Sequence, residues 1–142
     1  MAKLFKRKKT NAKKTMVDGI LFDSKLEAQR YKYLKQLEKA GQISKLKIQF
    51  PFELIPTQKK GNNKVPSICA ERVSTIRKTS YYADFVYLRH KDMKWIINDA
   101  KGRSMPVYKL KLKLVILNYC SGQGYTFLET YKDNKRNNFL EF

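Results

Sequence analysis

The sequence predicts an α/β protein: one domain built on a mixed β-sheet flanked by helices. Three observations point there. A helical pattern, several strand patterns, a second helical pattern and a last strand follow one another along the 142 residues, an order that places helices against a sheet. A chain of this size buries roughly two-thirds of its unfolded surface, enough for one hydrophobic core and short for two. The two clearest strand patterns are separated only by the polar stretch Arg89-His90-Lys91-Asp92-Met93, which predicts an antiparallel hairpin.

Residues 1–15 form a basic arm without periodicity, suited to capturing phosphates or simply to solvation. The domain proper is expected over 16–131. It opens with the short apolar, turn-containing segment Val17-Asp18-Gly19-Ile20-Leu21-Phe22, followed by a helix through Ala40. Leu26, Tyr33, Leu37 and Ala40 share one face of that helix, with Leu34 beside them, and Gly41 suits its C′ position. Leu46–Phe50 and Phe52–Ile55 read as strand material. Pro51 between them suits an edge strand, a bulge or a break. The polar and basic stretch 57–79 reads as a long loop or an extended hairpin. Ser80–Leu88 and Lys94–Lys101 are rich in aromatic and β-branched residues and form the hairpin. Pro106 opens an amphipathic helix reaching about Tyr119, with Val107, Leu110, Leu114 and Leu117 on one side. Tyr125–Thr130 is the last strand. Residues 132–142 are a polar tail whose Phe139-Leu140-Glu141-Phe142 end is able to dock.

The formal charge of +19, from 31 Lys and Arg against 12 Asp and Glu, exceeds what solubility needs. Because the cations are spread along the chain, they favour a polyanionic partner: each neutralised phosphate releases condensed counterions. A membrane surface is disfavoured, since no basic helix also carries a broad inserting face. No apolar run approaches the roughly 20 residues of a spanning helix, and the N-terminus lacks a signal-peptide core, so the chain reads as intracellular. With only Cys69, Cys120 and His90 as thiols and imidazole, zinc fingers and HNH-type sites are excluded. A metal site must therefore use carboxylates.

The hairpin supplies them. If a four-residue loop, His90–Met93, sets Arg89 opposite Lys94, then Asp84 falls opposite Asp99. Alternation along the strands puts Asp84, Asp99 and Lys101 on one face with Val86, Leu88, Trp95 and Ile97. That face is expected beneath a covering element such as helix one. The other face carries Tyr81, Ala83, Phe85, Tyr87, Ile96 and Asn98. Opposed residues have Cβ atoms roughly 4.5–5.5 Å apart, and two carboxylates that close repel unless a cation lies between them. A one-residue slip would send Asp99 to the opposite face. A structural ion pair between Lys101 and one aspartate is the competing explanation. Mg²⁺ takes one or two protein carboxylates while keeping waters and phosphate oxygens, so Asp84 and Asp99 form a suitable donor set. Lys101 could then activate a water or stabilise charge on a phosphate. Glu27 has two readings: the partner of Ser24 in a capping box, or a further acid pointing into the cluster.

These residues resemble the PD-(D/E)XK nuclease superfamily, and within it small phage- and prophage-encoded endonucleases of the Holliday junction resolvase-like kind. The resemblance rests on residues 17–28, Gly41-Gln42-Ile43, Gln49, residues 82–87 and Asp99-Ala100-Lys101-Gly102, with Tyr108 and the lysines after it also similar. It spans about Asn11 to Thr130. It implies a restriction-endonuclease-like mixed sheet, Asp84 and Asp99 as metal ligands with the Ala100 carbonyl, Lys101 as the catalytic lysine, and Glu27 as the helix-one acid of the same site. It further implies Mg²⁺, replaceable by Mn²⁺, with branched DNA as substrate and a homodimer suited to two-fold symmetric cleavage. Gln49 is an additional polar candidate, and Lys109, Lys111 and Lys113 are candidates for gripping the DNA backbone. Ala83 stands where the superfamily's name-giving proline would precede Asp84. The alternative is a nucleic-acid-binding protein without catalysis, on a degenerate nuclease fold.

Overall fold

Ser24 starts the first helix. In the computed structural model, which describes residues 13–59, 75–100, 106–133 and 138–141, its hydroxyl oxygen accepts the Glu27 amide at 3.2 Å and its O–H donates to Glu27 Oε1 at 2.9 Å. That reciprocal cap satisfies a helix-end amide that would otherwise be unpaired. Helix α1 runs Lys25–Lys39. It ends at Ala40, and Gly41 takes the left-handed φ of 72° that glycine adopts without strain. Before it, β1 (Thr15–Val17) and β2 (Ile20–Phe22) form a hairpin turned by Asp18 and Gly19, both at positive φ. Asp-Gly is the pair such a tight hairpin turn favours.

Strand β3 spans Ile43–Ile55, so the stretch around Pro51 is one continuous strand. Of the three roles open to Pro51, the edge is the one realised: β3 lies at the border of a five-stranded sheet. Within the 57–79 stretch, short strands β4 (Gln58–Lys59) and β5 (Thr75–Ile76) pair antiparallel; the residues between them lie outside the described ones. Strands β6 (Thr79–Arg89) and β7 (Lys94–Ala100) form the central hairpin with the predicted register, from Arg89 opposite Lys94 to Phe85 opposite Asn98.

The second helix, α2 (Pro106–Val115), widens into a π-helical turn over Ile116–Cys120 and closes on Ser121–Gln123. Strand β8 (Tyr125–Asp133) then enters parallel to β7. Residues 138–141, expected in the tail, form β9, which pairs antiparallel with β8 as the far edge. The sheet order is β3-β6-β7-β8-β9. The protein is thus a single small α/β domain with an open mixed sheet, as the element order predicted. Among the described residues, no helix is long and apolar enough to cross a membrane.

Two cores lie on the two faces of the sheet. On one, Phe22, Ala28, Tyr31 and Leu34 from β2 and α1 pack against Ile43, Phe85, Tyr87 and Ile96. On the other, Val115 with Tyr108, Leu114 and Tyr119 covers Phe52, Tyr81, Ala83, Val86 and Ile97. The second helix also presents a different side from the one its pattern suggested: Val107, Leu110 and Leu117 face solvent, while Tyr108, Leu114 and Val115 pack inward. The tyrosines explain this, since Tyr108 and Tyr119 bury aromatic area and aim their hydroxyls at acceptors. Tyr119 donates to the Glu53 carbonyl at 2.7 Å and Asn118 to the Leu54 carbonyl at 3.2 Å, tying the helix to the edge strand.

Candidate active site

The two aspartates of the hairpin meet where the β6–β7 ladder gives out. Beyond Phe85 and Asn98 no ladder pair follows among the described residues; instead the Asp84 amide donates to Asp99 Oδ1 at 3.1 Å, and the Ala100 amide donates to Asp84 Oδ2 at 3.0 Å. Each carboxylate therefore stands in for a strand carbonyl. Asp99 is fully buried and Asp84 is 8% exposed.

The face they occupy differs from the expectation in two respects. Val86, Trp95 and Ile97 do share a side, but α2 and its π-turn cover it, while α1 covers the opposite side. Tyr81 and Ala83, expected with Phe85 and Tyr87, pack instead with Val86 and Ile97. Strand β6 thus exchanges faces at Asp84. Its partner does the same: Ile48 packs beneath α1, whereas Phe50 and Phe52 pack beneath α2. Between them Gln49 has a left-handed φ of 51°, and the register is the same on either side, Ile48 opposite Phe85 and Phe50 opposite Ala83. One residue on each strand, Gln49 and Asp84, absorbs the reversal. Gln49 Nε2 donates to Asp84 Oδ1 at 3.3 Å.

The reversal brings Tyr81 to the site, a residue the sequence reading left on the other face. Its hydroxyl donates to Asp99 Oδ2. Burial, then the Asp99 charge, drive the Tyr81 phenol well above its ordinary range, so it stays a donor. A second phenol pair lies beside it. Glu129, opposite Asp99 in the parallel β7–β8 pair, accepts from Tyr108 at 2.7 Å on Oε1 and from Tyr131 at 2.7 Å on Oε2. Burial foremost, then the bond to Glu129, raises the Tyr108 phenol. For Tyr131 the bond to Glu129 acts first. The available signal was residue type: a tyrosine where packing needs only phenylalanine implies an acceptor for its hydroxyl.

The remaining candidates divide. Glu27 sits in the capping pair with Ser24, and among the described residues no three acids, cysteines or histidines gather as a metal cluster. Lys111 Nζ donates to the Ser80 carbonyl at 3.1 Å, whereas Lys109 and Lys113 are exposed. Ala100 is buried, and its amide is the group bound to Asp84. Lys101 and Cys69 lie outside the described residues. His90 is structural: its Nδ1 lies 2.7 Å from the Gly41 carbonyl and its Nε2 2.8 Å from Ser44 Oγ, pinning the hairpin loop. A cleft of about 500 Å³ beside it, lined by Tyr33, Leu37, Tyr87 and His90, holds none of the acids.

On the reverse side of β7, Arg30 Nε donates to Asn98 Oδ1 at 3.0 Å. Asn98 in turn donates to the Leu128 carbonyl at 2.9 Å and to Thr130 Oγ1 at 3.4 Å, and Thr130 donates to the Asp99 carbonyl at 3.3 Å. This buried chain fixes α1 to the strand that carries Asp99.

The donor chemistry fits a hard divalent cation: two carboxylates, each oriented by a backbone amide. Fold and site together define a small α/β protein with an oriented pair of buried carboxylates at its central hairpin. The chain belongs to the family described as "Protein of unknown function (DUF1064)", whose model matches residues 7–134. No curated protein and no solved structure matches it.

Proposed function

We propose that the protein is a metal-dependent DNA endonuclease that hydrolyses phosphodiester bonds. Asp84 and Asp99 carry this reading: both acids are buried at the end of one hairpin, each accepting a backbone amide across the two strands, and neighbouring buried carboxylates favour a cation. Asp84 and Asp99 would hold Mg²⁺ or Mn²⁺, with the Ala100 carbonyl as a further ligand. When bound, such an ion neutralises the pair and polarises a phosphate and a water. Gln49 orients Asp84 through its 3.3 Å bond. Lys101, two residues beyond Asp99, is assigned the charge-stabilising role, and Glu27 serves the helix cap first and the site second. The charge of +19 and the exposed Lys109 and Lys113 supply the backbone grip. Branched DNA and a two-fold dimer follow from the resemblance to small phage resolvase-like enzymes.

A second reading is favoured by the complete burial of Asp99: a nucleic-acid-binding protein on a degenerate nuclease fold, its acids retained to satisfy strand amides. One assay separates them. The protein and an Asp99→Asn variant are incubated with branched, single-stranded and duplex DNA in Mg²⁺ or Mn²⁺. Metal-dependent cleavage that falls by about 10²–10³-fold in the variant supports the nuclease. No cleavage of any substrate, or equal cleavage by both proteins, refutes it.

A further inference from the structure

We propose that Tyr81 is a positioning residue of this site, its phenol fixing the carboxylate of Asp99 for the metal. The inference rests on the metal-dependent nuclease reading and adds to it a residue outside the motif. Three observations carry it. Tyr81 is 4% exposed, and its ring lies 6.4 Å from those of both Tyr108 and Phe127. The hydroxyl therefore has little freedom, and it is aimed at Asp99 Oδ2 while the Asp84 amide meets Oδ1. Finally, α2 reaches over to the preceding residue, Lys111 Nζ donating to the Ser80 carbonyl at 3.1 Å, which anchors the strand start that carries Tyr81.

A buried hydroxyl is unfavourable unless it is bonded, so packing among Phe52, Phe127 and Tyr108 would be as well served by phenylalanine. The oxygen is retained for its acceptor. Donors to a ligating carboxylate act in two opposed ways. They withdraw charge, which weakens metal binding, and they hold the carboxylate in one orientation, which strengthens it. With Asp99 buried and held at both oxygens, orientation dominates, and loss of such a partner typically lowers metal affinity or activity about 10–100-fold.

The test compares the full-length protein with Tyr81→Phe, Tyr108→Phe and Asp99→Asn. Mn²⁺ affinity is measured by calorimetry without DNA, the Mn²⁺ concentration for half-maximal cleavage is measured alongside, and thermal unfolding is followed for each. Phe keeps the ring and its packing, so Tyr81→Phe is expected to fold. Its Mn²⁺ affinity should fall, and its half-saturating Mn²⁺ rise, about 10–100-fold, with cleavage largely recovered at saturating Mn²⁺. Tyr108→Phe, whose hydroxyl serves Glu129, should leave both values unchanged. An unchanged or tighter Mn²⁺ affinity in Tyr81→Phe overturns the proposal, as does an equal loss in Tyr108→Phe. If Tyr81→Phe matches wild type while Asp99→Asn is inactive, the positioning role fails and the nuclease stands. A wild-type protein that neither binds Mn²⁺ nor cuts removes both.

Discussion

Asn98→Ala tests the buried polar chain behind the site. Arg30 is fully buried, and Asn98 Oδ1 accepts its Nε–H at 3.0 Å. Guanidinium does not deprotonate at any ordinary pH, so removing that acceptor leaves part of a charge without its partner. A hydrogen bond to a charged group is worth about 1.5–3 kcal/mol, and the Leu128 carbonyl, which accepts at 2.9 Å, adds about 1 kcal/mol when it loses its donor. The contact to Thr130 at 3.4 Å is long and adds little. With the small cavity left by truncation, the loss comes to about 3–5 kcal/mol. For a domain of this size that lowers the melting temperature by roughly 10–20 °C. Urea unfolding followed by circular dichroism measures it. A double-mutant cycle with Arg30→Met should show a coupling of at least about 1 kcal/mol between the two sites. A loss below about 1 kcal/mol, or zero coupling, would refute the claim that Arg30 and Asn98 fasten α1 to the sheet.

Three further outcomes follow. The Tyr81 and Tyr108 phenols are raised in the folded state, so each contributes stability that is intact below the ordinary tyrosine value near 10 and is lost above it. For Tyr81 stability should fall by roughly 1.4 kcal/mol per pH unit above pH 10, with a smaller, solvent-screened fall from the half-buried Tyr108, and absorbance at 295 nm should show the Tyr81 phenol ionising only with unfolding; early ionisation of all tyrosines in a folded chain would contradict this. For DNA binding, the double substitution of exposed Lys109 and Lys113 by Ala should reduce the slope of log K against log salt by about 2, measured by fluorescence anisotropy. Lys111→Ala should act on stability instead, because its ammonium serves the Ser80 carbonyl; an unchanged slope in the double variant would place the phosphates elsewhere.

Register was legible in the sequence because His90–Met93 leaves little slack: a four-residue loop between two apolar strands fixes Arg89 opposite Lys94, and every pair to Phe85 and Asn98 follows. Capping by Ser24 was legible for the same kind of reason, since it depends on residues three apart. The exchange of faces at Asp84 was not legible. It depends on a left-handed φ at Gln49, a residue type that gives no warning of it, and strict alternation carried Tyr81 to the wrong side. The side of α2 that packs was hidden because two stripes compete on it. One is Val107, Leu110 and Leu117; the other is built on Tyr108 and Val115, whose aromatic partners lie on strands far away in sequence.

The face exchange also explains why a structural role and the proposed metal-binding role fall on the same two acids. In an unbroken ladder the amides of Asp84 and Ala100 would find strand carbonyls; here they find the carboxylates of Asp99 and Asp84. A buried amide left without an acceptor costs about 1–3 kcal/mol, so each aspartate is needed for the backbone whether or not it binds a metal. Alanine at either position would remove both roles at once, and lost cleavage would prove nothing about chemistry. Asparagine separates them. At position 99 it keeps an oxygen for the Asp84 amide while abolishing the charge a divalent ion requires, and a Tyr81 hydroxyl can accept from the new amide as readily as it donated to the acid. An Asp99→Asn protein with an unchanged melting temperature and metal-dependent cleavage reduced by about 10²–10³-fold therefore assigns the lost activity to charge rather than to fold.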